Sequence, residues 1–174
     1  YVFIENVPGL DKNPESPLGK FKAFLKKNDY VYTEDVLNAK HFGVPQNRRR
    51  YVLLATRLKK KIELPEPDMD NLKTVRDAIG NTQLFHPINA GHHDTTGFKH
   101  SAAFLSEANL LRITNTAHDG GDRRSWPKEL EPTCYENHSG HYDVYGRMYW
   151  DKPAPTITTR FISYSNGRYG HPEQ

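Results

Sequence analysis

The chain has 174 residues, long enough for one domain or two small ones with a real core. Its 36% apolar content and mean hydropathy of −0.82 point to a half rich in loops and exposed polar residues. A single cysteine, Cys134, excludes an internal disulfide and fits a reducing cytoplasm, the expected location; no signal peptide, membrane span or lipidation signal is visible. The net charge of +3 is mild but unevenly placed, because residues 40–61 carry eight Lys or Arg and no acid, a field suited to phosphate.

In chain order, the apolar run Tyr1-Val2-Phe3-Ile4 leads into Glu5-Asn6 and a Pro8-Gly9 turn. This reads as a buried, parallel strand ended by a turn. Open α/β sheets place their chemistry just past such strand ends, so Glu5 and Asn6 stand where a catalytic carboxylate is expected. After a loop over 10–15, Ser16 is positioned to cap a helix, Pro17 suits its first turn, and Leu18, Phe21, Phe24 and Leu25 fall on one face. Lys26, Lys27 and Asn28 suit its exit. Residues 30–38 read as a strand and 51–56 as its partner, joined by the basic segment Phe42-Gly43-Val44-Pro45-Gln46-Asn47-Arg48-Arg49-Arg50. A proline-punctuated linker follows at Leu64-Pro65-Glu66-Pro67-Asp68. Thr74-Val75-Arg76-Asp77 has capping-box form and opens a short helix that Gly80 can end. A polar loop over 89–97 precedes a helical pattern over 101–113. From 114 to 151 the text is turns and short aromatic stretches, as expected where recognition loops sit on a modest scaffold.

Two of these stretches together, Glu5-Asn6-Val7-Pro8 and the segment from Phe42 to Tyr51 with its Gln-x-Arg-x-Arg core, resemble the DNA (cytosine-5) methyltransferases in order and spacing. Softer matches are Thr74-Val75-Arg76-Asp77-Ala78-Ile79-Gly80 and Lys152-Pro153-Ala154-Pro155-Thr156-Ile157-Thr158. The family's cofactor-binding glycine loop and Pro-Cys nucleophile loop precede the first motif and are not in this sequence, and its two closing motifs are absent as well. The resemblance therefore implies a fragment, inactive on its own. The implied fold is α/β: the C-terminal part of a Rossmann-like S-adenosylmethionine-dependent methyltransferase domain over 1–64, a linker and short helix over 65–80, and a small, irregular, mostly β target-recognition domain over 81–174.

Cytosine C5 is a poor nucleophile, and the family activates it by adding a cysteine thiolate to C6 of a base flipped from the helix. The resemblance implies that Glu5 bonds N3 and the exocyclic amine, which asks for a carboxyl protonated part of the time through burial. It implies that Arg50 stands near the cytosine O2 and Arg48 supports the nucleophile side, a guanidinium fork suiting an oxygen that gains charge. In a strand Arg48 and Arg50 share a face and Arg49 is opposite, so Arg49 is expected on DNA. Asn6 and Gln46 are expected to steady the catalytic loop. Phosphate contact alone is the simpler reading of the three basic-segment residues Gln46, Arg48 and Arg50.

In the recognition region Arg147 is expected to contact guanine, with Tyr145 and Thr156 nearby on base or phosphate. Tyr149 and Trp150 are expected in a small core, and Arg123 and Arg124 on phosphate. Cys134 follows Pro132-Thr133, but its place in the order is wrong for a nucleophile. His92, His93, His100, His138 and His141 lack a metal-ligand pattern. The expected donor is S-adenosylmethionine, and the expected partners are duplex DNA and a cognate restriction endonuclease, with no membrane. The rival readings are a binding-only DNA-recognition protein and a tRNA methyltransferase.

Overall fold

Three strands carry the first half of the chain: β1 (Val2–Asn6), β2 (Val31–Asn38) and β3 (Arg49–Thr56), in the order β1-β3-β2. Both pairings are antiparallel, with Glu5 opposite Val52 on one side of β3 and Leu37 opposite Arg50 on the other. The computed structural model describes residues 1–58, 60–135 and 140–174. Contacts divide the chain into two units, Tyr1–Leu72 and Lys73–Gln174.

Strand alternation sorts the sheet into two faces. Val2 and Ile4, Tyr51, Leu53 and Ala55, and Tyr32 and Val36 meet the helix α1 (Leu18–Lys27), which contributes Leu18, Phe21 and Leu25 to the core of this unit. Lys22 Nζ reaches Glu34 Oε1 on β2 at 2.6 Å, and the Tyr51 hydroxyl donates to the other Glu34 oxygen, tying helix to sheet. Phe3, Glu5, Arg50, Val52 and Leu54 alternate onto the opposite face.

Two expectations for this half change. β1 is neither buried nor parallel: it lies at the sheet edge, antiparallel to β3, and Phe3 is 64% exposed. An apolar run specifies a strand but not the direction of its neighbour; here β3, returning from β2, takes the place beside it. In α1 the cap position is Pro17, without a side-chain cap, while the Ser16 hydroxyl accepts from Leu18 N at 3.2 Å, one residue early. Phe24 is exposed and stacks on Phe21, because it sits about 100° around the helix from Leu25. Beside β2, residues 63–67 with Pro65 and Pro67 border a groove shared with Thr33 to Asn38.

The second unit opens with α2 (Val75–Ile79) under the anticipated capping box: Thr74 Oγ1 accepts from Asp77 N and Asp77 Oδ2 accepts from Thr74 N. Gly80 stands at its end in a right-handed conformation. α2 docks through Val75 N to Lys152 O and Arg76 N to Trp150 O, and Val75, Trp150 and Ala154 form a buried cluster with Ile79 and Met148 against it. α3 spans only Glu107–Thr114, not 101–113. Ser106 caps it, and residues before it pair backwards with the polar loop through Ala102 N to His92 O and Gly91 N to Ala103 O. The remainder is irregular, as expected, but it is not mostly β: among the described residues it offers short 3-10 helices and one isolated parallel bridge, Arg147 with Gly170.

A buried hydroxyl joins three parts of this unit. Thr116 Oγ1 donates to Arg112 O at 2.8 Å, meets Tyr164 Oη at 2.7 Å, and accepts from Trp126 Nε1 at 2.8 Å. Valine has the same shape without the hydrogen bonds, leaving buried polar partners unmatched. Thr116→Val should therefore lower the stability of this unit by about 2–3 kcal/mol, read by tryptophan fluorescence in denaturant, since both tryptophans, Trp126 and Trp150, lie in it.

Candidate functional site

The two motifs meet across the β1–β3 pairing. Arg50 lies on the same face as Glu5 and two residues before its partner Val52. Its Nε stands 2.8 Å from Glu5 Oε1, while Nη1 donates to the Arg49 carbonyl at 2.8 Å. The Glu5 side chain remains 46% exposed and that of Arg50 21% exposed, so both can reach a ligand on this face. The burial expected around Glu5 is not supplied by the described residues; the guanidinium is its neighbour instead. Asn6, at the strand end, turns its Oδ1 to accept from Val7 N at 2.8 Å and so holds the turn that follows Glu5.

The basic segment is shaped by its own hydrogen bonds. A 3-10 helix, Ala39–Phe42, is capped by Asn38 and ends at Gly43, whose φ of 77° is a left-handed value that glycine adopts without strain. Asn38 Oδ1 also accepts from Arg48 N at 3.0 Å and its Nδ2 donates to Asn47 Oδ1 at 2.8 Å, while Ala39 N donates to Arg48 O. Gln46 is held by its backbone, N to Val44 O and O from Arg48 N. Arg48 lies one residue before β3 and is half-buried, Arg49 is exposed, and Arg50 is half-buried beside Glu5.

In the second unit the predicted DNA contacts separate sharply. Arg147 is 2% exposed. Its guanidinium donates to the carbonyls of Thr116 (3.1 Å), His171 (2.7 Å), Ile113 (2.7 Å) and Gln174. Burial holds it below the usual arginine value. The expectation that it touches guanine is corrected: it clamps α3 to residues 171–174. Arg123 is also buried, on Glu131 Oε1 at 2.7 Å and Gly140 O at 2.7 Å, between the rings of Tyr135 and Tyr142, so it is a core arginine and not a phosphate contact. Tyr145 packs edge-on against Trp126 and Tyr164, with Arg112 over its ring, and belongs to the aromatic core. Tyr149 is half-buried and Trp150 buried, as anticipated.

Arg124 stays at the surface, 66% exposed, paired with Asp122 through Nε and Nη2 at 2.8 and 2.7 Å. The hydrogen bonds from Arg124 hold the Asp122 carboxyl below its usual value against the opposing effect of burial. Thr156 is half-buried, with its carbonyl accepting from the Tyr169 hydroxyl at 3.1 Å. Sequence reasoning passed over Arg168, which joins Asp122 to the carbonyls of Gly120, Gly121, Tyr142 and Arg147. The signal available was only its place between Gly167 and Tyr169, late in an aromatic-rich region. Asp94 is a loop organiser whose carboxyl is pulled down to about 2 by hydrogen bonds from Thr96 and His100 N.

Among the described residues no group of three or more His, Cys, Asp or Glu side chains comes together as metal ligands. His138, with Glu136, Asn137 and Ser139, lies outside the described residues. Cys134 is exposed in a 3-10 helix of the second unit. No helix among the described residues is long and apolar enough to cross a membrane. The connection from β1 to α1 carries Gly9 with open space where a Cβ would stand. That is not the tight cradle an adenosyl group requires, and no residue here is assigned to hold one.

Comparison with known proteins gives a consistent result. The family model of the C-5 cytosine-specific DNA methylases matches residues 1–173. The Type II methylase M.HgiDII of Herpetosiphon aurantiacus is 39% identical over 99% of this chain and 49% of its own length. The Type II methyltransferase M1.BsuMI of Bacillus subtilis is 34% identical over 98% of this chain and 38% of its own length. The chain thus spans half or less of these relatives. A crystal structure of a candidate prophage-encoded DNA modification methyltransferase from E. coli superposes with a TM-score of 0.58 at 16% identity, over 98% of this chain and 54% of that one, which is a likeness of fold.

Two outcomes follow from the second unit. Arg147→Lys cannot serve four carbonyls from one ammonium, so it should destabilise this unit by about 2–4 kcal/mol in tryptophan-detected unfolding without any DNA present. The His171 Nδ1 accepts from Glu173 N and Gln174 N, and its ring meets Trp150 edge-on at 5.1 Å. Burial, aided by Arg147 and opposed by Glu173, lowers its pKa from 6.5. The unfolded chain then takes up this proton first as pH falls, so stability present above about 6.5 is lost below it. Unfolding midpoints should fall between pH 7 and 5, and His171→Phe should flatten that slope.

Proposed function

The chain belongs to the C-5 cytosine-specific DNA methylase family, and from that premise we propose that the protein carrying it transfers a methyl group from S-adenosylmethionine to C5 of a flipped cytosine in duplex DNA, as the modification half of a Type II restriction-modification pair acting in the cytoplasm. The observation that carries this reading is the 2.8 Å pairing of Glu5 with Arg50 on a face both side chains still share with solvent. Cytosine offers N3 and an exocyclic amine on one edge, with O2 beside N3. A carboxyl and a guanidinium held side by side match that edge: Glu5 bonds N3 and the amine, and Arg50 meets O2 as charge develops on the ring after thiolate addition. Arg48 supports the nucleophile side, and Asn6 and Gln46 hold the turns from which Glu5 and Arg50 project. Arg49 and Arg124, both exposed, supply phosphate contacts.

The nucleophile and the cofactor cradle are not among the residues of this chain that we assign, so the chain by itself is expected to transfer no methyl group. When bound, S-adenosylmethionine is consumed as methyl donor; what the present residues contribute is orientation of the base and stabilisation of its charge.

The test uses the full-length protein with labelled S-adenosylmethionine, offered duplex DNA and tRNA separately, with products digested to nucleosides. Label in 5-methylcytosine from DNA is the expected result. Label in tRNA would move the substrate to RNA, and label in neither, from protein that binds DNA, would favour a recognition role alone. Glu5→Gln should keep DNA binding and fold, since the side chain is half-exposed, but reduce methyl transfer about a hundredfold or more.

A further inference from the structure

The second unit holds seven arginines, and the structure commits six of them. Arg76 forks onto Asp151 at 2.7 and 3.0 Å, and Arg112 bonds Leu130 O and Asn109 Oδ1. Arg123, Arg124, Arg147 and Arg168 are engaged as described above. The seventh, Arg160, is exposed, and among the described residues its guanidinium makes no hydrogen bond, ion pair or ring contact.

Its backbone, by contrast, is fixed. Phe161 N donates to Thr158 O at 3.1 Å, and the Arg160 carbonyl accepts from Ser163 N at 3.1 Å and Asn166 Nδ2 at 3.3 Å. Tyr169 Oη donates to Thr156 O and meets Thr158 Oγ1 at 3.4 Å. The turn is rooted at both ends, in buried Ala154 and buried Tyr164. The same turn leaves three large apolar side chains in water: Ile157, Phe161 and Ile162, 40, 50 and 65% exposed. A pinned backbone that presents a free cation and exposed apolar groups in one turn is arranged to meet a surface both polar and greasy. The major-groove edge of DNA is such a surface, with acceptor pairs on guanine and methyl groups on thymine.

Resting on the function proposed above, we propose that Arg160, with Phe161 and Ile162 beside it, is the base-reading group of this unit, the guanidinium forking onto O6 and N7 of a guanine in the target sequence. It takes the part the sequence reading gave to Arg147. Arg124, also at the surface, already shares its fork with Asp122 and can offer only its outer edge to phosphate.

The experiment expresses the full-length protein, wild type and with Arg160→Ala or Arg160→Lys, and maps 5-methylcytosine over a genome or a library of randomised duplexes. Lysine keeps the charge and loses the fork, which separates a guanine contact from a phosphate contact. In both variants discrimination at one guanine position should fall about tenfold or more while other positions keep theirs. Unchanged discrimination overturns the proposal. So does a loss spread evenly over all sequences that lysine restores, which is the mark of a phosphate contact, or a loss of methylation at every sequence in both variants. Tryptophan-detected unfolding of both variants should match wild type; a lowered midpoint would show that the guanidinium holds the fold and overturns the proposal too. Absence of 5-methylcytosine from the wild type would count against the catalytic reading itself, and is seen without any variant.

Discussion

The register of β3 is the constraint on which the first unit depends. β3 is the middle strand, so a single alignment fixes both of its neighbours: Val52 opposite Glu5 on one side and Arg50 opposite Leu37 on the other. A slip of one residue would send Arg50 to the α1 face and bring Leu53 and Ala55 into water. The burial of Tyr51, Leu53 and Ala55 under α1 is what forbids that slip. Packing on one face thus sets chemistry on the other, and the Glu5–Arg50 pair inherits its geometry from apolar residues that never touch it.

The second unit solves a different problem with different means. With no strand ladder among its described residues to consume its backbone groups, it would bury carbonyls that water cannot reach. Arg147 and Arg168 meet that need, each donating to several carbonyls drawn from distant parts of the chain. A guanidinium has five donors in a rigid plane and is more easily stripped of water than an ammonium, which suits it to the task. Gly120 belongs to the same economy: at φ 92° its missing side chain is where the ring of Tyr149 lies, 1.9 Å from an imagined Cβ.

Sequence reading succeeded where a residue pattern has one physical meaning. The apolar run of 51–56, the Thr74 capping box and the two motifs around Glu5 and Arg50 were all legible. It failed where one residue type serves two environments. Arginine 147 or 123 reads as a surface cation from charge alone, because nothing in the letters records that carbonyls rather than phosphates surround it. Likewise Phe24 scores as core by type, and only its angle around α1 tells otherwise. Residues before 106 carry helical spacing and suggest an earlier start for α3, whereas the Ser106 hydroxyl caps the first turn and sets the start there. The direction of β1 was out of reach altogether: alternation tells which face is buried, not which way a neighbour runs.

The two rims of the sheet are unequal. β2 has beside it a segment with Pro65 and Pro67, residues whose rings lack the amide hydrogen needed to extend a ladder. β1 has no such guard among the described residues, and its outward groups stand next to an exposed Phe3. An unguarded, apolar rim recruits further strands, from another copy as readily as from a cognate neighbour. A strand laid against β1 would find outward-facing amides and carbonyls over Val2–Asn6 ready to continue the ladder, and the same groups would become the seam of a larger sheet.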